Sequence, residues 1–408
     1  VVDRNVVSLS AFNLFRGLAT GGYMALFAAY MARYGYSMSD IGFVIALSNV
    51  VGFLASPAMG YVLEVHSSRL VSAATGFLLA VSLFLPAFSD SMLSLSVSYS
   101  LFMLSFYFGQ PARMTFLARV VDRRRLGSVV GVTGAAFTAS RTVGPPLSGA
   151  LALYYGYWEA FIILALLALA GSTLFYLTST ELGVSPGRNN SKYDLLDPYR
   201  RLLKPDRSLA LLYVFVGLDR AAWMMWFPML SAFLVRIGYD EATIGVLIGL
   251  SNALETLCTP IMGRLTDVLG ASRMLALSEA SAALSALTLA TINYTGTAGA
   301  VMSMSLIGVS IGSWIPAYNV YVARVYERLG EAYATTNAIR SVAGIPAPYI
   351  GGFLYEALAL HAPLLVSAVV LAYTTLMALK PLREVERLKA STATSYSDGE
   401  STGLRGCL

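Results

Sequence analysis

Residues 238–273 read GYDEATIGVLIGLSNALETLCTPIMGRLTDVLGASR. The phrase holds a turn, a long apolar run, a tight Gly/Asp/Arg element and the start of another apolar run. An earlier version stands at residues 35–64, GYSMSDIGFVIALSNVVGFLASPAMGYVLE, displaced by 203 positions. That shift aligns Arg33 with Arg236, Tyr36 with Tyr239, Asn49 with Asn252, Pro57 with Pro260, Gly60 with Gly263 and Glu64 with Asp267. One half of the chain is a copy of the other.

Composition names the solvent. The 408 residues are 56% hydrophobic and only 12% charged. A soluble chain carries about 25% charged residues. So few charges cannot cover a soluble surface of this size, which points to lipid. The net charge of +5 is small, and no basic block with interleaved aromatics suggests nucleic acid. Cys258 and Cys407 lie far apart, and His66 and His361 are the only histidines. No disulfide, metal site or cofactor is expected. The first apolar segment is too long for the core of a cleavable signal peptide.

Twelve apolar stretches of spanning length fall at roughly 8–32, 41–63, 69–88, 93–117, 127–154, 157–178, 208–235, 243–265, 273–293, 297–322, 333–358 and 362–380. About 20 apolar residues cross a bilayer as a helix. The expected fold is therefore all-α and integral to the membrane, with two pseudo-symmetric six-helix bundles over 1–178 and 208–380. Residues 179–207 read as a linker, with an amphipathic surface helix or a solvated loop at 194–204. Residues 381–408 read as a disordered tail. Alternating the spans gathers twenty Arg and Lys residues on one face, among them Arg4, Arg69, Arg119, Arg264, Arg273 and Arg324. Only Arg33 and Arg236 remain on the other. The basic face is expected to be cytoplasmic, with both termini inside a plasma membrane. Six spans per copy make the repeat parallel, an arrangement of carriers that hold substrate between their halves. The symmetry lies within one chain, so a monomer is expected to suffice.

Three motifs resemble the major facilitator superfamily, and the resemblance covers essentially the whole chain. The loop after span 8 carries Gly263, Asp267, Gly270 and Arg273, similar to the family's loop signature; a degraded copy keeps Gly60, Glu64 and Arg69. In the family this element latches one conformation. Span 5 carries Gly131, Ser140, Gly144, Pro145, Ser148 and Gly149, similar to the spacing of the drug/proton antiporters with two Gly-to-Ser changes. The repeat shift carries it to Ala343, Ala347, Pro348, Gly351 and Gly352 in span 11. Small residues beside a proline let helices approach closely, so both faces are read as dry contacts between the halves. The ends of spans 4 and 10 match as well: Arg119 and Arg324 are read as ion-paired anchors.

Charges inside a membrane are costly and mark function by default. Arg16, Arg113, Arg141, Arg220 and Arg340 stand against Asp219, Glu255 and Glu279. The resemblance implies that spans 1, 4, 7 and 10 line a central cavity. Its candidate substrate contacts are Arg16, Thr20 and Tyr23, Gln110 and Arg113, Arg220, Trp223 and Trp226, and Trp314, Tyr318 and Asn319. Aromatic faces with a few fixed charges suit an amphipathic ligand. Arg16 and Arg220 suit a phosphate or carboxylate clamp; equally, Arg16 suits an ion pair with Asp219 or Glu255. Proton coupling needs a buried carboxylate, for which Asp219 ranks first, Glu255 second and Glu279 a poor third. Arg141 and Arg340 are not symmetry mates and suit either structure or substrate.

The reading is a secondary carrier working by alternating access and not an enzyme. Export of a small amphipathic molecule against protons comes first, from the span 5 spacing and the aromatics. Uptake or exchange of a small organic anion is the alternative, from the excess of intramembrane arginine. No phosphate-binding loop of an ATP-driven pump occurs.

Overall fold

The computed structural model describes residues 2–55, 58–181, 209–326 and 329–388. Most of the expected linker, with its segment 194–204, and most of the tail lie outside the described residues, as do Pro57 and the side chain of Glu64. The first copy forms α1 (Val2–Arg33), α2 (Met38–Ala55), α3 (Ala58–Val65), α4 (Ser68–Phe88), α5 (Met92–Val120), α6 (Arg123–Tyr155) and α7 (Tyr157–Thr178). The second forms α8 (Ala210–Met224), a 3-10 turn (Phe227–Met229), α9 (Leu230–Arg236), α10 (Glu241–Leu269), α11 (Ala271–Ala290), α12 (Ile292–Val325), α13 (Leu329–Gly344), α14 (Ala347–Ala357) and α15 (Ala362–Met377). Among the described residues there is no strand.

Eight of the helical segments are long and apolar enough to cross a membrane. The other four expected spans lie on α1, α6, α11 and the α13–α14 pair. These carry Arg16, Arg141, Arg340, Glu279 and many of the small residues, which lowers their apolarity.

The opening phrase folds the same way in both copies. Gly35 and Gly238 take φ of 85° and 97°, a left-handed turn that favours glycine. Each turn feeds a capped helix. Asp240 accepts from the Thr243 N–H at 2.8 Å, and Ser37 and Asp40 cap each other at 3.0–3.1 Å.

Two spans are broken where sequence permits. Trp226 leaves helical geometry at φ −136°, ψ −37°, just before Pro228. Span 11 breaks before Pro346, between α13 and α14, and not at the expected Pro348. By contrast α6 runs unbroken through Pro145 and Pro146.

The halves meet along a symmetric seam. A Cβ on Gly42 would lie 2.3 Å from the Pro348 carbonyl oxygen, and one on Gly245 2.3 Å from that of Pro145. Likewise Gly149 approaches the Glu241 carbonyl and Gly352 that of Met38, with room for no side chain. Asn49 Nδ2 donates to the Gly344 carbonyl at 3.2 Å, and Asn252 Nδ2 to that of Arg141 at 3.2 Å. Every member of these pairs is related by the repeat shift. Gly351 and Gly144, expected on the contact between the halves, pack as closely but inside their own halves, Gly351 against the Met225 carbonyl and Gly144 against that of Leu18.

The seam closes one end only. At the face opposite the basic loops, Arg33 Nε meets Glu241 Oε1 at 2.8 Å, Tyr157 donates to the same oxygen at 2.9 Å, and Arg236 donates to the Tyr36 carbonyl at 2.8 Å. There α9 packs on α1 and α14 packs on α2. Towards the basic face α13 barely touches α2, and α8 makes little contact with α1. Gly131, expected among the close-packed positions, has open space beside it, as do Gly127 and Gly134. The glycine-bearing face of lower α6 has no neighbour among the described residues, while its other face packs on α1, where Asn13 Nδ2 donates to the Thr133 carbonyl at 2.8 Å, so the described chain is open on its basic face.

Enlarging Gly352 to leucine should force the seam apart, because the obstacle is backbone that cannot move aside. Thermal unfolding in detergent should show a loss of about 1–3 kcal/mol, the usual cost of overpacking. Gly131→Ala should leave the midpoint unchanged or slightly higher. Equal losses in both variants would contradict the one-sided seam.

Candidate functional site

Arg16 rises from α1 into the first half and is almost fully buried. Its Nη2 donates to the Ser105 carbonyl of α5 at 2.7 Å. Its Nε and Nη1 have no partner. Arg113, one turn beyond Gly109 on α5, brings its own unpartnered Nη1 to the same place. The meeting point is Gly109: a Cβ there would lie 2.6 Å from Arg16 Nη2 and 2.8 Å from Arg113 Nη1. Glycine at this position is what lets both guanidinium groups converge. Arg113 also lies over the Phe137 ring of α6, 5.8 Å from its centroid.

Two guanidinium groups about 5 Å apart repel by about 3 kcal/mol at an effective dielectric of 20. No carboxylate among the described residues pairs with either one. Glu255, a candidate partner of Arg16, is bonded instead to Arg141 across the seam. Asp219, the other candidate, has Arg340 as its nearest cation, Nη2 to Oδ2 3.7 Å. Arg340 in turn stacks on Trp314 at 3.9 Å from its ring centroid. The site is therefore rich in unspent donors: Arg16 and Arg113, with Arg141 Nε and Trp314 Nε1 also unpartnered. Such a set suits a ligand made of acceptors.

The aromatic candidates divide. Trp223 is half-buried and stacks on Trp226 at 5.5 Å, and Trp314 stacks on Tyr318 at 4.6 Å. Trp226 is fully buried and donates its indole N–H to Ser367 at 3.0 Å. It braces the break in span 7 against α15 and does not line an opening. Tyr23 is fully buried too, bonded to Ser98 at 2.7 Å and stacked on Phe102 at 4.6 Å. Its ring belongs to the core of the first half, because that face of α1 packs against α5 and α7 rather than the gap between halves. Thr20 is buried and Tyr318 is committed to Thr336. Gln110 and Asn319 are exposed. Arg220 lies beside Gly344 on the second-half wall.

Sequence reasoning ranked Glu279 last of the three carboxylates. It is wholly buried and accepts from Thr374 at 2.6 Å. Its repeat mate is Gly76, a mismatch of the same kind that singled out Glu255 opposite Gly52. Gly109 was not marked, although it sits one turn from Arg113.

The basic-face elements hold each half separately. Glu181 accepts from Ser67 and Ser68 hydroxyls at 2.9 and 2.7 Å, from the Arg69 N–H at 2.8 Å and from Arg119 Nη1 at 2.9 Å. Burial pushes this carboxyl up, but the Arg69 N–H and the three side-chain bonds more than offset it, and it ends below the usual carboxylate range. In the second half Glu386 accepts from the N–H groups of Ala271 and Ser272 at 3.0 Å, and Arg324 lies 3.5 Å from it and 3.9 Å from Asp267. Gly270 turns the loop with φ 93°. Gly263 touches only Pro316, at ordinary distance. Arg273 donates to the Leu269 carbonyl at 3.3 Å. None of these contacts crosses between the halves, in keeping with the open basic face.

The sequence matches the family model described as Major Facilitator Superfamily over residues 9–348. The uncharacterized MFS-type transporter MJ1560 of Methanocaldococcus jannaschii is 20% identical over 274 residues, 66% of this chain and 70% of that protein. Among solved structures, a mutant of the nucleoside transporter NupG superposes with TM-score 0.79 at 14% identity, covering 93% of this chain and 99% of that one. A bacterial homolog of the human lysosomal transporter Spinster, inward-facing and unoccupied, superposes with TM-score 0.68 at 10% identity, covering 96% and 97%. At these identities the likeness is one of fold.

The arginines differ in what replacing them should do to stability. Arg16→Met removes an uncompensated buried charge and should raise the unfolding midpoint, by the equivalent of about 1 kcal/mol. Arg141→Met strands Glu255 and should lower it. If Arg16→Met is as destabilising as Arg141→Met, the charge at Arg16 is compensated after all.

Proposed function

The chain belongs to the major facilitator superfamily, and we propose that it is a secondary carrier for a small organic anion, a phosphate ester or a carboxylate of modest size. The observation that carries this reading is the convergence of Arg16 and Arg113 over Gly109 with unspent N–H groups and no carboxylate. A site with this much uncompensated positive charge is incomplete until an anion enters it. Arg220, on the facing wall, supplies a further cation as the halves close. Trp223 and Trp314 offer flat apolar surface for the rest of the ligand.

In this reading all twelve apolar stretches cross the membrane, the basic face is cytoplasmic, and one chain suffices. The halves rock about the glycine seam. The conformation described here admits ligand from the basic face. In the opposite one the Arg33–Glu241 closure opens, and Gly127, Gly131 and Gly134 find partners. The loops at 66–67 and 270 then latch that face.

A second reading is export of an amphipathic molecule. The unbroken, proline-containing α6 with Pro145 and Gly149 on the seam favours it. Reconstituted protein separates the two. Uptake of inorganic phosphate, a sugar phosphate and an aromatic carboxylate into liposomes should fall at least tenfold in Arg16→Ala and Arg113→Ala. Gly109→Ala, which crowds only the mobile ends of those side chains, should do the same with an unchanged unfolding midpoint. Anion uptake that survives all three substitutions would end the anion reading. Transport of neutral or cationic compounds alone would favour export.

A further inference from the structure

On the face opposite the basic loops, a cleft of about 220 Å³ lies between the ends of α1, α4 and α7. Tyr30, Tyr34, Phe88 and Trp158 line it, and Asp90 stands among them. Tyr30 is buried; its hydroxyl donates to the Pro86 carbonyl at 3.2 Å, and its ring lies 4.4 Å from that of Tyr34. Tyr34, Phe88 and Trp158 are 55%, 71% and 51% exposed. Sites that enclose a whole small molecule start at roughly 300 Å³. This cleft is the size for a head group.

The charges around it have one sign. α1 and α4 both end here, with their carbonyl-bearing, negative ends. The last turn of α4 has no basic residue. That of α1 has Arg33, which reaches across the seam to Glu241 at 2.8 Å. Two helices also begin nearby, and each positive end has its own acid. Asp90 precedes the Ser91 cap of α5, and Glu159 lies in the first turn of α7. Among the described residues no arginine or lysine pairs with Asp90 or Glu159. Tyr36 donates only to the Asp90 backbone carbonyl, so the carboxylate itself is free. One carboxylate among aromatic rings does not hold a metal ion, which needs several oxygen ligands. It suits a cation whose charge is spread over apolar groups.

We propose that this cleft binds an alkylammonium group, with Asp90 as its counter-ion and the rings of Tyr34 and Trp158 as its walls. Its preference is the opposite of that of the arginine pair at Gly109, so it is no antechamber for the same ligand. Tyrosine and tryptophan gather at the level of lipid headgroups. The ammonium can therefore come from a lipid headgroup of that leaflet or from an amine in solution. Anchoring in the membrane boundary accounts for exposed aromatic rings, but not for a carboxylate left unpaired among them.

Two arms of one experiment test this. In the first, tetramethylammonium is titrated onto the purified full chain in detergent and followed by saturation transfer to its methyl protons. It should bind, and tert-butanol, a neutral molecule of similar size, should not. Asp90→Asn should weaken binding about threefold or more, and so should Trp158→Leu, which keeps an apolar anchor but no ring. Both side chains are exposed, and asparagine keeps the backbone carbonyl that Tyr36 uses, so the unfolding midpoints should match the wild type. In the second arm the chain is extracted from vesicles of equal parts phosphatidylethanolamine and phosphatidylglycerol, and its retained lipids are counted by native mass spectrometry. Asp90→Asn should keep fewer phosphatidylethanolamine molecules than the wild type and as many of phosphatidylglycerol. A positive first arm alone assigns the cleft to a soluble amine, and a positive second arm alone to a lipid headgroup; either upholds an ammonium site. Equal binding of tert-butanol, undiminished binding in both variants, or no ammonium-dependent signal in either arm overturns it.

Discussion

The structure depends on how closely two backbones can approach. At Gly42, Gly149, Gly245 and Gly352 the halves come together so tightly that a methyl group would strike a carbonyl oxygen. In lipid the hydrophobic effect does not drive helices together, so association rests on dispersion and on bonds such as those of Asn49 and Asn252. A contact of this kind holds only while the surfaces match. It can hold at one end and part at the other, which a broad greasy interface cannot do as cleanly. The seam is thus a fulcrum: symmetric by duplication, closed beside Arg33 and Glu241, and open beside Gly131.

Duplication alone would give two equal halves, and the function lies where they differ. The position that is Arg16 in the first copy is Asp219 in the second. Gly76 has become Glu279, and Gly52 has become Glu255. The first half therefore holds an uncompensated arginine pair. The second holds two buried carboxyls, Asp219 and Glu279, with Arg340 3.7 Å from Asp219, and the ion pairs Arg141–Glu255 and Arg33–Glu241 cross the seam. Burying unpaired charge destabilises a fold and is retained where a mobile ligand completes it. An anion bound in the first half would neutralise its arginine pair.

Much of the fold was legible in the sequence because its cause is local. The repeat of residues 35–64 at 238–273 gave the halves, and the small residues around Pro145 and Pro348 gave the seam between them. The site was only half legible. Arg16 and Arg113 stood out as charges in apolar runs, but nothing in the sequence says that they meet over Gly109. Tyr23 and Trp226 share helix faces with Arg16 and Asp219, yet each helix is packed on several sides, and those rings turn into the cores of their own halves. Glu279 was ranked last of the carboxylates, and its complete burial and its bond to Thr374 are found only by folding. Gly131 shows a different limit. On the carrier reading one sequence serves two conformations, and a residue that looks built for close packing stands free in the one described.

The central claim is that the halves rock about the seam as rigid bodies. Electron–electron distance measurements test it directly on protein with Cys258 and Cys407 replaced and spin labels in pairs. One pair, at Phe88 and Tyr294, reports the closed end; the other, at Val65 and Val268, reports the basic face, and all four positions are exposed. The account predicts opposite changes: when ligand or pH shifts the population, the Val65–Val268 distance shortens as the Phe88–Tyr294 distance lengthens. Both distances moving in the same direction, or neither moving under conditions that support transport, would contradict it.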